Sequence, residues 1–156
     1  EEAWPDTHTQ TFFYRKFSPG YLTGEAEKGV CMQSREEKNR RRKGADYEKA
    51  VGYYLEQCGY EILQYNYRCR AGEIDIVAKD GPYLVFCEVK YRSGAGKGSP
   101  LEAVDGRKQS RLYRSAVYYL AEHGLDGVPC RFDVAGIEGT DITYIKDAFA
   151  GGKAGM

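Results

Sequence analysis

The sequence predicts an α/β domain, a mixed β-sheet flanked by helices, from the order of its periodicities. Apolar residues at helical spacing come first, then three runs rich in β-branched and aromatic residues, then a second helical stretch and two further short runs. At 156 residues the chain suits one domain with a substantial core. A hydrophobic fraction of 42% beside 29% charged residues is an ordinary soluble composition. The chain divides into an extension over residues 1–34, a domain over 35–150 and a tail over 151–156.

Residues 1–34 mix Pro, Gly, Thr and aromatic residues (Trp4, Phe12, Phe13, Tyr14) without a clear period, so they read as an extension, disordered or ordered by a partner. From about Ser34 a helix is predicted as far as Cys58-Gly59, with Tyr47, Val51, Tyr54, Leu55 and Cys58 forming its apolar stripe. Glu48 lies on the edge of that stripe, either in a flanking salt bridge or leaning over the sheet towards a metal. Strands are predicted over Tyr60–Arg68, Glu73–Lys79 and Tyr83–Tyr91, the last two joined by the hairpin composition Lys79-Asp80-Gly81-Pro82. Ser93 to Gly98 is a flexible loop able to close on a polynucleotide. It is not a nucleotide-binding P-loop, because Lys97 is followed by Gly98 rather than Ser or Thr.

The next helix is predicted from Ser99 as N-cap, Pro100 at the first helical position and Glu102 completing a capping box. It runs to about Glu122 and stops at Gly124, which also explains His123 as a residue of the helix end. Its inner face holds Leu101, Val104, Leu112, Ala116 and Tyr119. Lys108 falls in the middle of that face, either snorkelling outward or reaching a phosphate at the sheet edge. Cys130–Ile137 and Asp141–Ile145 complete the sheet around a Gly139 turn, with Asp133 expected to pair with Arg131.

The chemistry concentrates in the hairpin. Period two places Glu73 with Asp75 and Glu88 with Lys90. A two- or four-residue loop brings Asp75, Glu88 and Lys90 to one face; a three-residue loop does not. Phosphodiester hydrolysis must stabilise added negative charge and activate water, and Mg²⁺ or Mn²⁺ held by carboxylate oxygens does both. Lys90 beside them can orient water or stabilise the reacting phosphate. The same spacing also describes a solvent-facing strand surface whose acids and lysine pair across the ladder.

Net charge is zero, yet Arg35, Lys38 and Arg40 to Lys43 form one basic segment. Lys90, Arg92, Lys97, Arg107, Lys108, Arg111 and Arg114 form another, so that a basic rim, Arg92 and Lys108 included, surrounds the acidic centre as phosphate contacts. Read alone, each segment also suits a solvated helix face. Five cysteines without a CxxC pair or a histidine cluster fit reduced thiols rather than zinc or a disulfide framework. No apolar run approaches the ~20 residues that span a bilayer. The expectation is a cytoplasmic protein with no membrane partner.

The run Tyr54-Leu55, Gly59 to Leu63, Asn66-Tyr67-Arg68, Gly72 to Asp75 and Leu84 to Arg92 resembles the bacterial YraN family. Pro100, Glu102 to Val104, Lys108, Arg131 to Val134 and Ile145 to Phe149 fit it too, so the resemblance covers about residues 38–149. That family resembles restriction endonucleases and Holliday junction resolvases of the PD-(D/E)xK type. The resemblance implies a restriction-endonuclease-like core, a metal site at Asp75 and Glu88, Lys90 as catalytic lysine, Glu48 as an additional metal ligand and Glu73 as a supporting residue. The activity implied is Mg²⁺-dependent cleavage of DNA, including branched or recombination intermediates, by a protein working as a homodimer. RNA is the remoter substrate. The competing class is a nucleic-acid-binding or partner-binding module that keeps the fold without turnover.

Overall fold

The computed structural model describes residues 11–14, 32–92 and 99–150. The elements run in the order β1 (Thr11–Tyr14), α1 (Met32–Gln57), β2 (Glu61–Cys69), β3 (Gly72–Asp80), β4 (Tyr83–Arg92), a 3₁₀ turn (Pro100–Ala103), α2 (Gly106–His123), β5 (Cys130–Glu138) and β6 (Asp141–Ile145). They build a six-stranded mixed sheet of order β1-β6-β5-β4-β3-β2. Among the described residues only the β4–β5 pair is parallel, which requires a crossover; it includes the 3₁₀ turn and α2.

The sheet is sandwiched between the two helices. Val51 and Leu55 of α1 pack with Ile76, Ala78, Val85, Cys87, Ala135 and Tyr144. Leu112, Ala116 and Tyr119 of α2 pack with Val77, Leu84, Phe86, Phe132 and Val134 on the other face. Strand β4 therefore sends Val85 and Cys87 one way and Leu84 and Phe86 the other, and is buried on both sides. Its apolar run from Leu84 to Cys87 fits a central strand covered on both faces, with the charged residues confined to its second half.

Three features depart from the sequence reading. Four residues of the extension, Thr11–Tyr14, form an edge strand paired antiparallel with β6. The predicted stripe of α1 ends early: Cys58 is exposed, because the helix stops at Gln57. The capping box at Ser99 starts a 3₁₀ turn rather than the helix, with Glu102 N–H donating to the Ser99 carbonyl. Helix α2 has its own cap, Asp105, whose carboxylate accepts from Lys108 N–H at 2.8 Å. Pro100 lies so close to the β5 backbone that a Cβ at Gly136 would come within 2.3 Å of its ring. That contact pins the turn to the sheet and directs Val104 into the core at 2% exposure. The C-terminal end of α2 is as expected, with Gly124 in the left-handed region at φ 63°. The loop over 93–98 and the tail over 151–156 lie outside the described residues.

Candidate active site

The hairpin register is the one the chemistry needs. Asp80 pairs with Tyr83 across a two-residue turn, and Ile76 with Cys87. The β3–β4 ladder stops there, whereas β4 stays paired with β5 as far as Arg92 and Glu138. The strands part at Asp75 and Glu88, and the gap opens a cavity of about 240 Å³. Gly44, Tyr47 and Glu48 of α1 line it from one side, Lys108 of α2 from the other, with Glu73, Asp75 and residues 88–91 between them.

Neither central acid lies on a solvent-facing surface. Glu88 is 1% exposed and Asp75 9%. One Glu88 oxygen, Oε1, receives Lys90 Nζ at 2.5 Å and Lys108 Nζ at 2.9 Å. The other, Oε2, is buried without a hydrogen-bond partner. Asp75 Oδ2 accepts the Val89 N–H at 2.8 Å, which ties the two strands where their ladder ends. Burial first, and the Glu88 charge second, push the Asp75 carboxyl up to about 7. Both lysines sit on Oε1, so the buried Oε2 oxygen is an acceptor that no protein donor fills.

A hard divalent cation would fit that donor set, and Asp75 and Glu88 are the residues that could hold it. Among the described residues, no three His, Cys, Asp or Glu side chains converge tightly enough to cage a metal alone. An ion held by two carboxylates completes its shell with water and substrate oxygens, the usual pattern for Mg²⁺. Without metal, the raised Asp75 pKa has a consequence for stability. The folded chain holds that proton between pH ~4 and ~7 while the unfolded chain releases it, so stability falls as pH rises through this range. Asp75→Asn is expected to flatten that dependence and raise stability at pH 7.5, as read by urea unfolding in chelator at pH 5 and 7.5.

Glu48 reaches the cavity from α1 and is held there by Asn66 Nδ2, which donates to its Oε2 at 2.5 Å. Burial raises its pKa, and the Asn66 hydrogen bond opposes the rise. Sequence reasoning assigned Asn66 no role. The β2–β3 ladder pairs Tyr65 with Ile76 and Tyr67 with Ile74, passing over Asn66 and Asp75, and Asn66 adopts φ 53° in mid-strand. Asn is among the few residues that tolerate this conformation. The signal available was an asparagine inside an aromatic, β-branched run. Asn66→Gly keeps the backbone and removes the donor, so it is expected to raise the Glu48 pKa further, as read by NMR titration.

The remaining candidates are placed more peripherally. Glu73 lines the cavity rim, in an exposed pair with Arg68 at 3.5 Å. Arg92 does not line the cavity; it donates to the Ser99 carbonyl at 2.6 Å and so ties β4 to the 3₁₀ turn. Lys108 does not snorkel outward but closes on Glu88. Asp133 pairs with Arg131, as its spacing suggests. Cys58, Cys69, Cys87 and Cys130 are free thiols, while Cys31 and His8 lie outside the described residues.

A mixed sheet between helices, with two buried acids and a lysine where its central hairpin splays, defines a restriction-endonuclease-like α/β domain. The chain belongs to the uncharacterised protein family UPF0102, the YraN-type family, whose model matches residues 47–137. It is similar to a UPF0102 protein of Lachnoclostridium phytofermentans, 48% identical over 112 residues, covering 71% of this chain and 95% of the relative. A UPF0102 protein of Moorella thermoacetica is 53% identical over 98 residues, covering 63% and 82%. One of Syntrophus aciditrophicus is 47% identical over 106 residues, covering 65% and 84%. Among the described residues, no helix is long and apolar enough to cross a membrane.

Proposed function

We propose that the protein is a Mg²⁺-dependent nuclease that hydrolyses phosphodiester bonds of DNA. The observation that carries this reading is the buried Glu88 carboxylate, one oxygen held by two lysines and the other unpartnered beside Asp75. A bound divalent ion supplies neutralisation of the reacting phosphate and a more acidic water. Asp75 and Glu88 would hold such an ion, and Glu48, which lines the same cavity from α1 and accepts from Asn66, would join them only by closing further on the ion than it does in this structure. The Lys90 ammonium orients the attacking water or stabilises charge on the phosphate. Lys108 brings a second cation from the opposite helix and draws the substrate backbone into the cavity.

The closed Lys90–Glu88–Lys108 triple favours a second reading, a binding module in which these charges serve structure alone. One assay separates the two. Single-stranded, duplex, flap and four-way-junction DNA are incubated with Mg²⁺ or Mn²⁺ and the wild type or Glu88→Gln. Metal-dependent cutting that disappears in the variant is expected. No cutting by either protein, with equal tight binding by both, would establish the module instead.

A further inference from the structure

Two aromatic side chains in the cavity play no part in that chemistry. Tyr47 of α1 and Tyr91 of β4 lie ring on ring, 4.2 Å between centroids and 9° from parallel. Tyr91 directly follows Lys90 and is 49% exposed although it is a large ring. Tyr47 covers one of its faces, so the backing is rigid and the exposed surface is available to something else.

Gly44 lies one helical turn before Tyr47 and lines the same cavity. A glycine inside a helix costs about 0.5–1 kcal/mol relative to alanine. Packing does not require it, since a Cβ built there meets nothing within 4 Å. What the missing side chain leaves is open space on the α1 wall of the cavity that Tyr47 and Tyr91 also line. Lys90 and Lys108 line the same cavity and bring positive charge to it. An aromatic floor, open space on the α1 wall and a cation-lined phosphate site thus share one cavity.

We infer that Tyr91, backed by Tyr47, is a stacking platform for one unpaired nucleobase next to the scissile phosphate, so that the substrate is single-stranded or branched DNA rather than continuous duplex. The inference rests on the nuclease reading for the identity of the phosphate. A base inside a continuous duplex has both faces covered by its neighbours and offers none to a tyrosine. An unpaired base offers one, and base–aromatic stacking tolerates any sequence because every base has a π-face.

The test is 2-aminopurine fluorescence in metal-free buffer, where cutting does not intervene. The probe base sits either unpaired at the branch of a flap substrate or paired inside a duplex. Wild type and Tyr91→Phe are expected to quench the unpaired probe, which is bright when unstacked, and to leave the paired one, already dim from stacking on its neighbours, unchanged. Tyr91→Ala should lose the quenching and bind the flap roughly ten- to a hundred-fold more weakly, with duplex affinity unchanged. Gly44→Leu, which gains helix propensity and fills that space, should lose it too. No quenching by the wild type, or an equal loss of flap and duplex affinity in Tyr91→Ala, overturns the platform. A parallel Mg²⁺ cleavage assay separates the failures. Quenching without cleavage overturns the nuclease reading alone, and cleavage without quenching overturns the platform alone.

Discussion

Lys90→Ala is expected to lower metal-dependent cleavage by about a hundredfold or more while the protein stays folded. The rate loss follows from position: the ammonium sits 2.5 Å from the buried Glu88 Oε1, and removing one such charge beside the reacting phosphate costs on the order of 10²–10³ in rate. The retained fold follows from redundancy. Lys108 remains on the same oxygen at 2.9 Å, so Glu88 is not left as a buried charge without a partner. Removing both lysines does leave it so, and the double variant should lose about 3–5 kcal/mol, far more than either single change. Initial rates and urea unfolding of the three variants check both halves. Normal cutting by Lys90→Ala would remove Lys90 from the chemistry; loss of folding by that single variant would make it a structural cation.

That redundancy was half legible in the sequence. Period two and a Gly81-Pro82 turn were enough to bring Asp75, Glu88 and Lys90 together, because register in a short hairpin is set locally. Lys108 was visible as a lysine in the middle of an apolar helix face, an anomaly with two explanations that spacing cannot separate. Which one holds depends on where the crossover after β4 sets α2 against the sheet, a matter of tertiary packing. The solvent-surface alternative fell for a similar reason. Alternation reports which residues share a face, but whether that face meets water depends on the helices that cover it, and Glu88 at 1% exposure is covered.

The fold shows the same division between local and distant causes. Both helices, the hairpin and the two closing strands follow from patterns within ~15 residues. The capping box did not mark the helix start, because two competing caps, Ser99 and Asp105, stand six residues apart. The contact between Pro100 and Gly136 holds the first in a tight turn and leaves the second to begin α2. Strand β1 was not legible, since a four-residue edge strand exists only where β6 offers an unpaired edge. Asn66 left a trace in its residue type, but its left-handed backbone and its grip on Glu48 require the broken ladder opposite Asp75.

Asp133 and Asp75 are both buried aspartates of the sheet, and neutralising them should change stability in opposite directions. Asp75 has one backbone donor and a neighbouring carboxylate, so Asp75→Asn relieves the folded state. Asp133, 1% exposed, is surrounded by donors. Arg131 Nε and its terminal nitrogen both reach it at 2.9 Å, Tyr144 Oη donates at 2.6 Å, and the Asp147 N–H donates at 2.9 Å. That last bond fixes Asp147 at φ 49° and leads into Ala148, whose N–H meets the Phe132 carbonyl, and Phe149, which stacks on Phe132. The carboxylate therefore joins β5, β6 and the segment after β6 at one point. Asp133→Asn cannot accept from all of these donors and leaves the half-buried Arg131 with a single carboxylate, Asp80, beside the Tyr60 hydroxyl, the Tyr83 ring and one neutral amide oxygen. A loss of about 3–5 kcal/mol is expected in urea unfolding, the range for breaking a buried ion pair. Arg131→Met together with Asp133→Asn should recover part of it, because the cost lies in a buried guanidinium left with one carboxylate in place of two. A loss under 1 kcal/mol for Asp133→Asn alone would mean that water relieves Arg131, and that the network is less closed than its geometry.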